Sequence, residues 1–341
     1  MSNNDAKRPK AVIFGCAGTD LADDEARFFA AADPLGFILF ARNCDHPAQV
    51  KALTDALRQS VGRDDAPILI DQEGGRVRRL RPPHWRDVPA PARFGHLYGR
   101  DAAAAVEAVR INARLIAAEL VDLGIDVDCL PVLDLPTDGA HQAIGDRAFS
   151  GDPTIAIPLG EAALAGLADY GVTGVIKHMP GQGRARVDSH HDLPVVEAGL
   201  DALAAHDLAP FRALSETAWG MTGHVLYPAI DAGLPATLSP RVIETVIRGA
   251  IGFDGLLLTD DLNMSALSGA LEDRAAAAVA AGCDIALHCS GVLAEMQRVA
   301  AKVPALSEDG ARRYRRNRRS MVRGDVAERQ RSADRLAELL A

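Results

Sequence analysis

Aromatic residues make up only 4% of this 341-residue chain, which leaves it little with which to stack the bases of a single-stranded nucleic acid. Positive charge is short as well: the formal balance is −9, which opposes general affinity for phosphate backbones. The five cysteines, Cys16, Cys44, Cys129, Cys283 and Cys289, are odd in number and widely spaced, with no Cys-x-x-Cys pair, so neither a disulfide framework nor a zinc ribbon is expected. No apolar run approaches the ~20 residues that span a bilayer. The polar opening 1–10 and the short apolar run 11–17 do not read as a secretory leader. No Gly-x-Gly-x-x-Gly follows that run and no Walker A segment occurs, so nucleotide binding has no support. Linkers, repeats and low-complexity stretches are missing too. The expectation is a cytoplasmic protein with no nucleic-acid partner, membrane insertion, cofactor or metal, acting as a monomer or weak oligomer.

What is present is regular alternation. Apolar, β-branched runs at 11–16, 36–40, 66–71, 126–133, 172–178, 220–224, 255–260 and 285–289 read as strands. Between them lie helical patterns, among them 47–59, 102–123, 155–170, 200–216, 240–252, 273–281 and 291–303. Such alternation implies parallel strands joined by right-handed crossovers, in either a closed (β/α)8 barrel or an open doubly wound sheet. Polar groups end or follow many of the runs: Asp71, Asp134, Lys177 with His178, His224 and Asp260. A site assembled from the carboxyl ends of many strands is the habit of the barrel. The fold expected is therefore α/β, a single-domain (β/α)8 barrel of the TIM type over 11–304, with a polar tail at 1–10 and C-terminal helices over 305–341. Six arginines fall between Arg312 and Arg319, which predicts a solvated terminal helix pairing with the acidic body, the alternative being an anion-binding patch.

The stretch around which the rest is organised begins at Lys177-His178-Met179-Pro180-Gly181-Gln182-Gly183 and runs through Asp188-Ser189-His190-His191-Asp192-Leu193-Pro194. It follows the apolar run 172–176, so its charged and imidazole groups sit where a buried strand ends. Asp188 and His190 are two residues apart, close enough for a carboxylate to hold one ring nitrogen and leave the other free, as a proton carrier requires. His178, His190 and His191 could hold a metal by residue type, but their spacing matches no ligand motif.

This loop resembles the Lys-His-Phe-Pro-Gly-His-Gly … Asp-Ser-His-x-x-Leu-Pro signature of glycoside hydrolase family 3, in its bacterial β-N-acetylglucosaminidase (NagZ-type) branch. The resemblance extends to Asp71-Gln72-Glu73-Gly74-Gly75-Arg76-Val77 with Arg79, to Pro131-Val132-Leu133-Asp134-Leu135, and to Ile144-Gly145-Asp146-Arg147-Ala148-Phe149. It continues through Met221-Thr222-Gly223-His224-Val225 and Leu257-Leu258-Thr259-Asp260-Asp261-Leu262-Asn263-Met264, and Ile38-Leu39-Phe40-Ala41-Arg42-Asn43 is similar as well. Two positions depart from the pattern: Met179 where Phe is usual, and Gln182 where His is common.

The resemblance implies a retaining β-N-acetylhexosaminidase that removes terminal GlcNAc from peptidoglycan fragments, GlcNAc-anhydromuramyl species with or without peptide, during cell-wall recycling. Retention needs a nucleophile below the anomeric carbon and a proton donor at the leaving oxygen. Asp260, ending an apolar strand, is the expected nucleophile; Asp261 is expected to turn away by strand alternation and cap the next helix. The resemblance assigns the acid/base role to His190, oriented by Asp188, with His191 the alternative. Asp71, Arg79, Arg147, Lys177 and His178 are expected to bind the terminal sugar, and His224 to pack beneath the pocket. A phosphorylase using phosphate in place of water, another family 3 β-glycosidase, and a non-catalytic sugar sensor on the same barrel are the competing readings.

Overall fold

The computed structural model describes residues 8–189, 192–316, 320–323 and 325–341. Eight parallel strands close into a barrel in sequence order. They are β1 (Lys10–Gly15), β2 (Pro34–Leu39), β3 (Ile68–Ile70), β4 (Val127–Asp128), β5 (Thr173–Met179), β6 (Trp219–Thr222), β7 (Leu256–Asp261) and β8 (Ile285–His288). β8 pairs back on β1 through Val12 with Ala286, Ile13 with Leu287 and Phe14 with His288, which closes the ring and removes sheet edges. The inward and outward faces of β1, β2 and β8 are buried almost throughout, as parallel strands covered by crossover helices must be.

Helices fill the crossovers. The longest, Ala102–Asp122, is capped by the Asp101 carboxylate, which accepts from Ala104 N–H, and it packs on the next helix, Pro153–Ala168, along an alanine- and glycine-rich seam. At Gly166 a Cβ would stand 2.4 Å from the Arg110 carbonyl, so only glycine permits that approach. The expected helix 200–216 is present over 200–213 as contiguous turns, Leu200–Ala202, a wider-wound Leu203–Asp207 and Ala209–Ala213, with right-handed helical backbone at the junctions Ala202, Leu203 and Leu208. Two further helices, Asp23–Ala32 and Pro91–Tyr98, fill stretches where the sequence pattern marks none.

Strands β3 and β4 are shorter than the apolar runs that carry them. Past Asp128, Cys129 N–H still donates to the Ile70 carbonyl, and the contact with β5 continues irregularly. Val175 and Lys177 donate their N–H groups to the Leu130 and Pro131 carbonyls, and Leu133 N–H donates to the Lys177 carbonyl.

Beyond the barrel, helix Glu308–Arg316 uses part of the arginine run to grip the body. Arg312, Arg313 and Arg316 all reach Asp254, and Arg313 also meets Asp284 at 3.0 Å. The arginines at 318 and 319 lie outside the described residues. A last helix, Val326–Leu340, packs on Ala102–Asp122. Among the described residues no helix is long and apolar enough to cross a membrane.

Candidate active site

At the carboxyl ends of the strands a cavity of about 220 Å³ is lined by Asp71, Glu73, Arg79, Arg147, Lys177, His178, Asp188, Asp260 and Asp261, among others. Seven of the eight residues expected from sequence thus share one cavity; the eighth, His190, and its alternative His191 lie outside the described residues.

Two small irregularities aim these groups. Against β6, strand β5 spends three residues from Ile176 to Met179 where its partner spends two, and β7 does the same against β8 between Leu258 and Asp261. Such a bulge breaks the alternation that would send neighbours to opposite faces. Both Lys177 and His178 therefore line the cavity, and so do both Asp260 and Asp261. This corrects the expectation for Asp261, which neither turns away nor caps a helix. Its carboxylate accepts from Asn263 N–H at 3.1 Å, and burial, with the neighbouring Asp260 charge, raises its pKa to about 6.

The charged floor is a chain of ion pairs. Lys177 Nζ lies 2.8 Å from Asp71 Oδ1 and 2.6 Å from Glu73 Oε1; Arg147 grips both Glu73 oxygens at 2.8 Å; Arg79 meets Asp71 Oδ2 at 2.9 Å. Burial opposes ionisation throughout this group, but the opposite charges outweigh it. Glu73 is held at about 2 by Lys177 and Arg147, Asp71 lies well below the usual carboxylate range, and Lys177 is held firmly protonated. The ring of Phe40 sits 5.0 Å from the guanidinium carbons of both Arg79 and Arg42 and steadies Arg79 from the apolar side.

A second group surrounds Asp260. Asp134 Oδ2 accepts a hydrogen bond from His178 Nδ1–H at 2.6 Å, which turns His178 Nε2 toward Asp260 Oδ2 at 3.9 Å. Burial would raise the pKa of Asp260, yet the His178 and His224 rings and the Asp261 N–H hold it below the ordinary value. His224 is fully buried and is not a cavity wall, in keeping with its expected place beneath the pocket. Its Nε2 donates to the Asp261 carbonyl at 3.0 Å, its Nδ1 lies 2.7 Å from Thr237 Oγ1, and burial lowers the pKa of the ring.

One arginine ties the walls together. Gly74 and Gly75, at φ 103° and 56°, make a tight turn that only glycine enters without strain, and it presents Arg76 to the loop that follows β4. The Arg76 guanidinium donates to the carbonyls of Gln142, Ala143 and Ile144 at 2.8, 2.6 and 3.0 Å and to Asp146 at 2.8 Å. Arg147 follows directly. The same loop is stitched to the one bearing Asp188, through Thr137 N–H to the Gly183 carbonyl and His141 N–H to that of Ala185.

Sequence reasoning missed Glu73 and gave Asp134 no role in the site. The sequence holds a signal for Glu73: among the expected sugar-binding residues three cations, Arg79, Arg147 and Lys177, face one carboxylate, Asp71, and a dry cluster requires a closer charge balance. Among the described residues no grouping of His, Cys, Asp or Glu has the makings of a metal site.

Residues 20–319 match the model of the glycosyl hydrolase family 3 N-terminal domain. A beta-hexosaminidase of Alkalilimnicola ehrlichii is 41% identical over 283 residues, covering 82% of this chain and 80% of that protein. One from Aromatoleum aromaticum is 39% identical over 286 residues, covering 82% and 79%. The crystal structure of NagZ from Neisseria gonorrhoeae in complex with N-trifluoroacetyl-D-glucosamine superposes with a TM-score of 0.89 at 32% identity, covering 98% of this chain and 99% of that one.

Proposed function

The chain belongs to glycosyl hydrolase family 3, and from that premise we propose a retaining β-N-acetylhexosaminidase that removes terminal β-linked GlcNAc from peptidoglycan fragments in the cytoplasm. The observation that carries the reading is the pairing of an ionised, strand-held Asp260 with a dry ion-pair floor around Lys177 in one sugar-sized cavity. Asp71, Arg79, Arg147, Lys177 and His178 present donors and acceptors to ring hydroxyls. Charge-assisted bonds of this kind are strong where water is excluded.

In the first step an Asp260 oxygen attacks the anomeric carbon as the bond to the leaving oxygen breaks and His190 gives that oxygen its proton. In the second, His190 removes a proton from water, which displaces Asp260 and restores the β configuration. Asp188 orients the ring, and an imidazole suits both duties near neutral pH. The His178 ring, fixed through Asp134, keeps the nucleophile ionised at rest.

The test is an activity panel of aryl β-GlcNAc, β-GalNAc, β-glucoside and β-xyloside substrates, with products analysed with and without phosphate. Preference for β-GlcNAc with release of free sugar is expected. A faster β-glucoside or β-xyloside overturns the branch, a sugar phosphate as product replaces hydrolysis with phosphorolysis, and no turnover at all makes the barrel a sensor.

A further inference from the structure

The geometry points to Gln182 as a specificity-determining residue whose side-chain amide pairs with the 2-acetamido group of the sugar. This rests on the reading of the cavity as an amino-sugar site and names the group that recognises the amino substituent. Gln182 lines the cavity and is only 6% exposed. Its backbone is fully engaged: N–H donates to Asp134 Oδ1 at 2.7 Å and the carbonyl accepts from Ala185 N–H at 2.9 Å. The side-chain amide, by contrast, has no hydrogen-bond partner among the described residues. The amide opens onto the cavity, where its donor and acceptor are free to meet a ligand group.

The backbone that carries the amide is held in place, and the space beside the amide is open. Gly183, where a Cβ would stand 2.0 Å from the Leu135 carbonyl, presses the loop onto its neighbour on one side of Gln182. Asp134, which anchors the Gln182 backbone, is the carboxylate that orients His178, so the amide and that ring share one reference point. A Cβ on Gly223 would lie 3.3 Å from His178 Cβ and 3.5 Å from Gln182 Oε1; the missing side chain keeps the space between them open.

The chemistry of the remaining walls selects the partner. Charged groups dominate the polar lining, and hydroxyls suit them, since a hydroxyl can give to a carboxylate or accept from a cation. A secondary amide offers one carbonyl and one N–H, and a primary amide answers both without stripping water from an ion. Met221 and Met264, buried in the same wall set, supply apolar surface for the acetyl methyl.

The test compares binding of methyl β-N-acetylglucosaminide and methyl β-glucoside to the full chain by calorimetry or NMR titration, in the wild type and in Gln182→Met and Gln182→Glu. Methionine keeps the length and fills the space, so the loop is retained while the hydrogen bonds are lost; glutamate keeps the shape but cannot donate to the acetamido carbonyl. In both variants affinity for the N-acetylated sugar should fall roughly 10- to 100-fold, with less than about a threefold change for the glucoside. Equal weakening for both sugars, or none for either, overturns the assignment of Gln182. A wild-type chain that binds the glucoside but not the N-acetylated sugar sinks the amino-sugar reading itself and the inference with it.

Discussion

Replacing Glu73 with Gln keeps the shape of a side chain that has no exposed surface and removes its charge from between Lys177 and Arg147. In the folded chain Glu73 titrates at about 2 rather than at its ordinary 4.5. That gap, at ~1.4 kcal/mol per pH unit, corresponds to about 3 kcal/mol of stability at pH 7, in line with the ~3–5 kcal/mol lost when one member of a buried ion pair is removed. Because the folded value lies below the unfolded one, the unfolded chain takes up the proton first as pH falls from 4.5 toward 2. The contribution is therefore complete well above pH 4.5 and fades below it. Urea denaturation of wild type and Glu73→Gln should differ by about 3 kcal/mol at pH 7 and by about 1 kcal/mol at pH 3. Asp71, also held low by Lys177 and Arg79, leaves the variant some acid sensitivity of its own. Stability curves that stay parallel from pH 7 to pH 3 would show that Glu73 does not carry its charge in the fold, and the account of the ion-pair floor would fall.

Three further outcomes are expected. Asp260→Asn should abolish turnover with the fold intact, and a 2-fluoro or 5-fluoro glycosyl inhibitor should label Asp260 in the wild type; mass spectrometry placing the label on Asp261 refutes the assignment. His190→Ala should cost on the order of 10²–10⁴-fold on a disaccharide yet show a burst with a dinitrophenyl glycoside and acceleration by azide, and Asp188→Ala should act likewise but more mildly. The same burst and azide effect in His191→Ala instead would move the proton carrier one residue. Arg76→Ala should lower kcat/KM about tenfold in the wild type and hardly at all in an Arg147→Ala background, because it acts through the loop that carries Arg147. Arg76→Lys should not restore it, since an ammonium cannot serve three carbonyls and a carboxylate at once; additive losses in the double variant would refute the coupling.

The eight strands were legible because each is a short, continuous apolar run, the mark of a parallel strand buried on both faces, and because polar residues close so many of them. Those endings mark Asp71, Lys177, His178 and Asp260 in the sequence itself. Local pattern could not show how the endings meet. Lys177 and Asp71 are 106 positions apart in the chain, and only barrel closure makes them partners, with Glu73 and Arg147 completing a charge balance that depends on a shared dry volume. The one-residue bulges in β5 and β7 were equally hidden, since register is set by the neighbouring strand, and through them Asp261 entered the cavity. Gln182 could be read as a letter out of place, but its unpaired amide emerged only once Asp134, Gly223 and Ala185 were folded around it. Periodicity records which face a residue buries; what it meets there is decided by chain that lies far away in sequence.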